Sequence, residues 1–231
     1  MQGKIFILFL CAALVTPCLF AESGASLAPR SFSSTPAAAT PAEVHRITLD
    51  EATQKIHVLG RTQLVPPDRY RRDTSSLYTK GVSSCSAVVL MNRAPSHEVF
   101  LGHFYYGSVI RACRFRLQSS DENSSVISFF QPSDFTVLNA FREMQEKIQT
   151  PQNWDVYFFG FGVHPSFKEA PIDDLTLLFS RMGFTHIHDH TLSSLYQMIP
   201  ILIVDGESRS IDYVVQDWSD TFSSRPSEQS A

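Results

Sequence analysis

Apolar and polar positions alternate with helical and extended periods along most of the chain after residue 44, and each change of period marks an element. Thr48 and Glu51 have the spacing of a capping box, Ala52, Ile56 and Leu59 follow at helical intervals, and Gly60 stands where a helix would stop. A short helix is predicted there. The run Ser86 to Met91, the turn-like stretch Asn92 to Ser96 and the run Val99 to Tyr106 read as a β-hairpin. Ala87 and Val89 lie on one face of its first strand and Val88 and Leu90 on the other, so this strand is expected in the middle of a sheet covered on both sides.

Beyond the hairpin, Ser133 and Asp134 can start a helix carrying Phe135, Leu138, Phe141, Met144 and Ile148 on one face, ending before Pro151. Val156 to Phe161 reads as a buried strand, Asp173 to Met182 as an amphipathic helix stopped by Gly183, and His186 to Thr191 as a strand. Ile199 to Asp205 and Ile211 to Val215 form a closing hairpin around Gly206. Interleaved strands and helices of this kind predict the α/β class, a mixed β-sheet sandwich with flanking helices.

The first 44 residues stand apart. Lys4, the apolar run Ile5 to Val15, Pro17 and the small Ala21 make residues 1–21 a secretory signal peptide, too short in its apolar part for a membrane span. Pro17 directly before Cys18 speaks against lipid attachment at that cysteine. Residues 22–44 are dominated by Ala, Ser, Thr and Pro and read as a flexible linker; residues 219–231 read as a disordered tail. One domain over residues 45–218 remains.

Composition adds little except exclusions. The chain has 231 residues, 43% of them apolar and 18% charged, and a net charge of -4, which fits a globular domain and gives no diffuse positive field for nucleic acid. Removal of the leader takes away Cys11 and Cys18, leaving Cys85 and Cys113. In an oxidising compartment that pair reads either as a disulfide or as containing a working thiol.

The segment Thr79-Lys-Gly-Val-Ser-Ser-Cys85 places a cysteine where a Gly-containing turn feeds a buried strand, a setting that can expose a thiol and aim backbone N–H groups at a reacting carbonyl. With the hairpin turn centred on Ala94, His103 falls directly opposite Cys85, close enough to hold a thiolate. The plain alternative is a small buried Cys85 and a hydrogen-bonded core His103.

Thr79, Cys85 and His103 in this order resemble the catalytic set of the CheD-type protein glutamine deamidases, and the resemblance continues through the hairpin CSAVVLM…EVFLGHFYY, the helix DFTVLNAFREMQEKI, the strand DVYFFGFG, the helix DDLTLLFSRMGF and the hairpin PILIVDGESRSIDYV. The chain departs from the family's chemotaxis members in its leader and in Gly162-Val-His164-Pro, where theirs has a Gly-rich turn. A secreted chain with this core looks more like the toxin branch, the cytotoxic necrotizing factors and the Burkholderia lethal factor. The resemblance implies a CheD-like fold, a cofactor-free and metal-free hydrolase acting on a Gln of a protein, in the toxin branch a host protein, with Cys85 as nucleophile, His103 as proton carrier, Thr79 orienting the imidazole, and backbone N–H groups of Ser84 or Cys85 holding the oxyanion. A monomer with no stable membrane insertion is expected, no segment after the leader being apolar over the length a span needs.

Two other readings are kept. A secreted binding protein could retain the fold with an inert Cys85. A zinc hydrolase could use His186, His188 and His190, three imidazoles on one face of a strand, although an extended strand spreads them too far apart to converge on one ion without a bend. Arg61, Arg69, Arg71, Arg72 and Arg93 are candidates for a basic docking surface, and Asn123 heads a glycosylation sequon.

Overall fold

Thr48 caps the first helix as its spacing requires, its hydroxyl accepting the Glu51 N–H at 3.3 Å while the Glu51 carboxylate accepts the Thr48 N–H at 2.7 Å. This helix, α1 (Leu49–Leu59), ends at Gly60 in the left-handed conformation. The computed structural model describes residues 40–118, 129–160, 171–192, 194 and 196–217. The leader, nearly all of the linker, the tail, Asn123 and His164 lie outside them.

Ahead of α1, β1 (Glu43–Arg46) is already paired in a sheet, so ordered structure begins two residues inside the segment read as linker. After it come β2 (Gln63–Leu64), β3 (Arg69–Asp73), β4 (Leu77–Val82), β5 (Cys85–Asn92) and β6 (Val99–Tyr105). Two helices follow, α2 (Tyr106–Gln118) and α3 (Pro132–Lys147), then β7 (Trp154–Phe159), α4 (Pro171–Arg181), β8 (His186–His190), β9 (Gln197–Asp205), β10 (Ser210–Tyr213) and β11 (Gln216–Asp217).

These strands form two mixed sheets. The first runs β1-β10-β9-β4-β2 with β11 also on β9, and the second runs β3-β6-β5-β7-β8. Three apolar clusters explain the layering. Leu77, Val89, Leu101, Phe159, Leu202 and Val204 fill the space between the sheets. Val88, Leu90, Phe104 and Phe158 point out of the second sheet onto Val109, Phe141 and Phe179 of α2, α3 and α4. Ile201 and Ile203 point out of the first sheet onto Ala52 and Ile56 of α1. The order is therefore helix, sheet, sheet, helices, and β5 is covered on both faces as its unbroken apolar run requires.

Helix α2 went unread because it begins directly at the end of β6, with Tyr106 as its first residue and no Ser, Thr, Asp or Asn directly before it in the sequence, and its buried stripe of Val109, Ile110, Ala112 and Cys113 is interrupted by Arg111. In α3 the buried face runs through Val137, Ala140, Phe141 and Met144, which leaves Phe135 44% exposed against the ring of Phe130. Among the described residues no helix is long and apolar enough to cross a membrane.

Candidate active site

The hairpin of β5 and β6 brings the chemistry together in a register different from the expected one. His103 pairs with Ala87, and Cys85 pairs with Tyr105. The turn is two residues longer on its second limb: Asn92 Oδ1 accepts the Ala94 N–H at 2.9 Å, the Asn92 side chain donates to Ser96 Oγ at 2.9 Å, and His97 takes a left-handed φ of 52° before the ladder closes. The displacement is two residues. An even displacement preserves the face, so Cys85 and His103 remain on the side of the second sheet that meets the first, as diagonal neighbours instead of an opposed pair.

Thr79 lies within strand β4, not in a turn, and reaches His103 from the opposing sheet. Its Oγ1 is 2.6 Å from His103 Nδ1 and 2.7 Å from the carbonyl of Val65. A carbonyl only accepts, so the hydroxyl proton goes to Val65 and the ring nitrogen must donate to Oγ1. His103 is thus held as the Nδ1–H tautomer with its Nε2 lone pair free. Nε2 is buried and has no hydrogen-bond partner among the described residues.

Gly81 makes this delivery possible. Its φ of 72° breaks the alternation of β4, so that Leu77, Thr79 and then Val82 all face the interior and the chain turns through Ser83 and Ser84 into Cys85. Gly160, at the end of β7, packs on the same turn with a φ of 82°; a Cβ there would lie 2.5 Å from Val82 Cγ1 and 3.0 Å from the carbonyl oxygen of Cys85.

Burial sets the electrostatics. His103 and Thr79 are both 0% exposed, whereas Cys85 is 6% exposed beside an open Ser84 and a Tyr105 that is 46% exposed. Burial pushes the Cys85 thiol above its ordinary pKa, a hydrogen bond with the Ser84 side chain opposes this, and the charge of Asp68 adds to it. Burial lowers the His103 pKa to about 4. At neutral pH the resting pair is therefore a thiol and a neutral imidazole. A free lone pair on Nε2, on the same face of the sheet as the thiol, is a base to which the sulfur's proton can pass as the sulfur attacks.

Cys85 and Cys113 are both free. They belong to different cores, Cys85 between the sheets and Cys113 between the second sheet and the helices.

The other candidate residues are placed differently from the site. His188 stacks on its cross-strand neighbour Tyr157 with centroids 4.6 Å apart, His190 stacks on Phe159 at 5.1 Å, and His186 Nε2 meets the Arg93 guanidinium at 2.9 Å. The three imidazoles form a row over β7 without converging. Among the described residues no group of three His, Cys, Asp or Glu is placed to hold a metal ion. Arg71, Arg72 and Arg93 are engaged with Asp73, Glu98 and Asp155 respectively, which removes them from a free basic surface. Sequence reasoning missed Asp68, whose only signal was its place after Pro66-Pro67 in a polar stretch. No protein-family model matches the chain, and neither does any curated protein.

Proposed function

We propose that the protein is a secreted, cysteine-dependent glutamine deamidase of CheD-like type that converts a Gln of a protein, in the host-directed manner of the toxin branch, to Glu. The observation that carries this reading is the hydrogen bond from His103 to Thr79, which leaves Nε2 open on the face of the sheet that also bears Cys85. The order Thr, Cys, His along the chain, which resembles the deamidases, supports it further.

Cys85 Sγ attacks the carboxamide carbon as its proton passes to His103 Nε2, and the C=O electrons move onto oxygen, where backbone N–H groups of Ser84 or Cys85 receive the charge. Collapse of the intermediate breaks the C–N bond, and the proton on Nε2 leaves with the nitrogen as ammonia. A water molecule, deprotonated by the same Nε2, then attacks the thioester, expelling the sulfur, which takes that proton back from Nε2, and leaving Glu. Thr79 fixes the ring throughout and exchanges no proton with the substrate.

Incubation with host-cell lysate followed by mapping of new Gln-to-Glu conversions tests the proposal. Conversions absent with Cys85→Ser and with His103→Ala, in proteins whose circular dichroism is unchanged, are the expected result. Conversion that survives either substitution sinks it. The second reading, a binding protein with an inert thiol, has the raised Cys85 pKa in its favour. Thiol titration under native conditions separates the two, because a binder leaves Cys85 as slow as Cys113.

A further inference from the structure

The segment Val65 to Asp68 borders the site with two functions in one stretch of chain. Val65 supplies the carbonyl that takes the Thr79 proton. Pro66 and Pro67 then fix two successive φ angles, and Pro66 also restricts Val65 to extended conformations. Asp68 follows with a left-handed φ of 57°, a conformation rare outside glycine and frequent at functional sites. The next residue, Arg69, starts β3 directly opposite His103.

Asp68 Oδ1 is buried and has no hydrogen-bond partner among the described residues. Buried carboxylate oxygens are ordinarily satisfied. An ionised carboxylate only accepts, so this site lacks a donor. Its charge is close enough to Cys85 to help raise the thiol's pKa.

Building on the deamidase reading, we propose that Asp68 is the substrate-binding residue that selects a carboxamide, its buried Oδ1 accepting an N–H from the amide nitrogen while Cys85 attacks the adjoining carbon. A primary carboxamide brings two N–H donors to an acceptor-only group. The product carboxylate brings none and carries the same charge, so Asp68 binds Gln, repels Glu and hastens product departure. A site made to bond an N–H discriminates strongly against a group that lacks it, because its own polar atom is then left unpaired.

Small alkylating agents test this without a protein substrate. Iodoacetamide carries the carboxamide and iodoacetate the carboxylate; in both the Cys85 sulfur bonds to the methylene carbon as iodide departs and the thiol proton is lost, and peptide mapping reports labelling at Cys85. The wild-type protein is expected to favour iodoacetamide, and Asp68→Ala to reduce the ratio of the two rates by about ten- to a hundredfold, the range of a charge-assisted hydrogen bond. Asp68→Asn, which keeps an acceptor and removes the charge, is expected to fall between them. Equal ratios in all three proteins overturn the proposal, and if the lysate experiment still shows Cys85-dependent conversion, the deamidase reading stands without it. A preserved ratio shift with no conversion in lysate leaves the Asp68 subsite and removes the deamidase. A Cys85 that neither reagent labels overturns both.

Discussion

His103 is tied through Thr79 to a backbone carbonyl, with 2.6 Å from Nδ1 to Oγ1 and 2.7 Å from Oγ1 to the oxygen of Val65. All three groups are buried, so removing the hydroxyl strands a donor and an acceptor together. Thr79→Val, nearly equal in shape, is expected to lower stability by about 1–3 kcal/mol and to reduce kcat more than KM, because the imidazole loses its fixed tautomer. Thr79→Ser restores the bond and most of both. Thermal unfolding and steady-state kinetics check the pair.

The depressed pKa of His103 predicts an acid limb in kcat/KM near pH 4 in place of one near the ordinary 6.5. The same shift governs stability. Between pH 6.5 and about 4 the unfolded chain holds a proton on this imidazole that the folded chain does not, so the contribution is complete above 6.5 and is lost as pH falls through 4. Loss proceeds at about 1.4 kcal/mol per pH unit for the one proton. Denaturant titrations of the wild type and His103→Gln over this range isolate it: the variant is expected to show the shallower slope.

Gly160→Ala introduces a methyl group that meets Val82 and the Cys85 carbonyl while holding a left-handed φ. A loss of about 2–4 kcal/mol is expected from overpacking and backbone strain combined. Because the displaced atom belongs to Cys85, activity should fall beyond what the unfolded fraction explains. Gly81→Ala has open space around its Cβ and φ strain alone, so it is expected to cost less. Urea denaturation ranks the two.

Asp155 is wholly buried and receives Arg93 Nε at 3.0 Å and Nη2 at 2.7 Å on one oxygen, with Arg209 Nη2 at 3.3 Å on the other. Arg93→Ala leaves that carboxylate undercompensated and is expected to destabilise the fold by about 3–5 kcal/mol. The proposed Cys85-dependent activity, per folded molecule, should be unchanged, since β7 begins at the end of the sandwich away from Cys85. Specific activity corrected for folded protein reads this out. An arginine that was one candidate for a docking surface is what lets an acid sit in the core.

Periodicity in the sequence was enough to find α1, β5, β6, α3, β7, α4, β8 and the β9–β10 hairpin, because each carries its own cap, breaker or apolar run. Short edge strands such as β2 and β3 left no such signal, and neither did the division into two sheets, which depends on pairings between residues as distant as Thr79 and Leu202. At the site, parity could be read and register could not: one left-handed residue, His97, lengthened the turn, and nothing in a histidine announces that conformation. Asp68 was hidden for the same reason, since its importance rests on an unpaired oxygen and a backbone angle.

One sheet separates the two sulfurs. Cys113 is 1% exposed and its thiol is pushed up to about 12, so it is a poor nucleophile as well as a remote one. Bridging it to Cys85 would require the second sheet to come apart, as disulfide geometry demands close Cα atoms. Among the described cysteines, therefore, Cys85 cannot be blocked by a bridge to Cys113 while the sheet stays intact, so within this pair only a thiol or oxidant arriving from elsewhere can cap its sulfur.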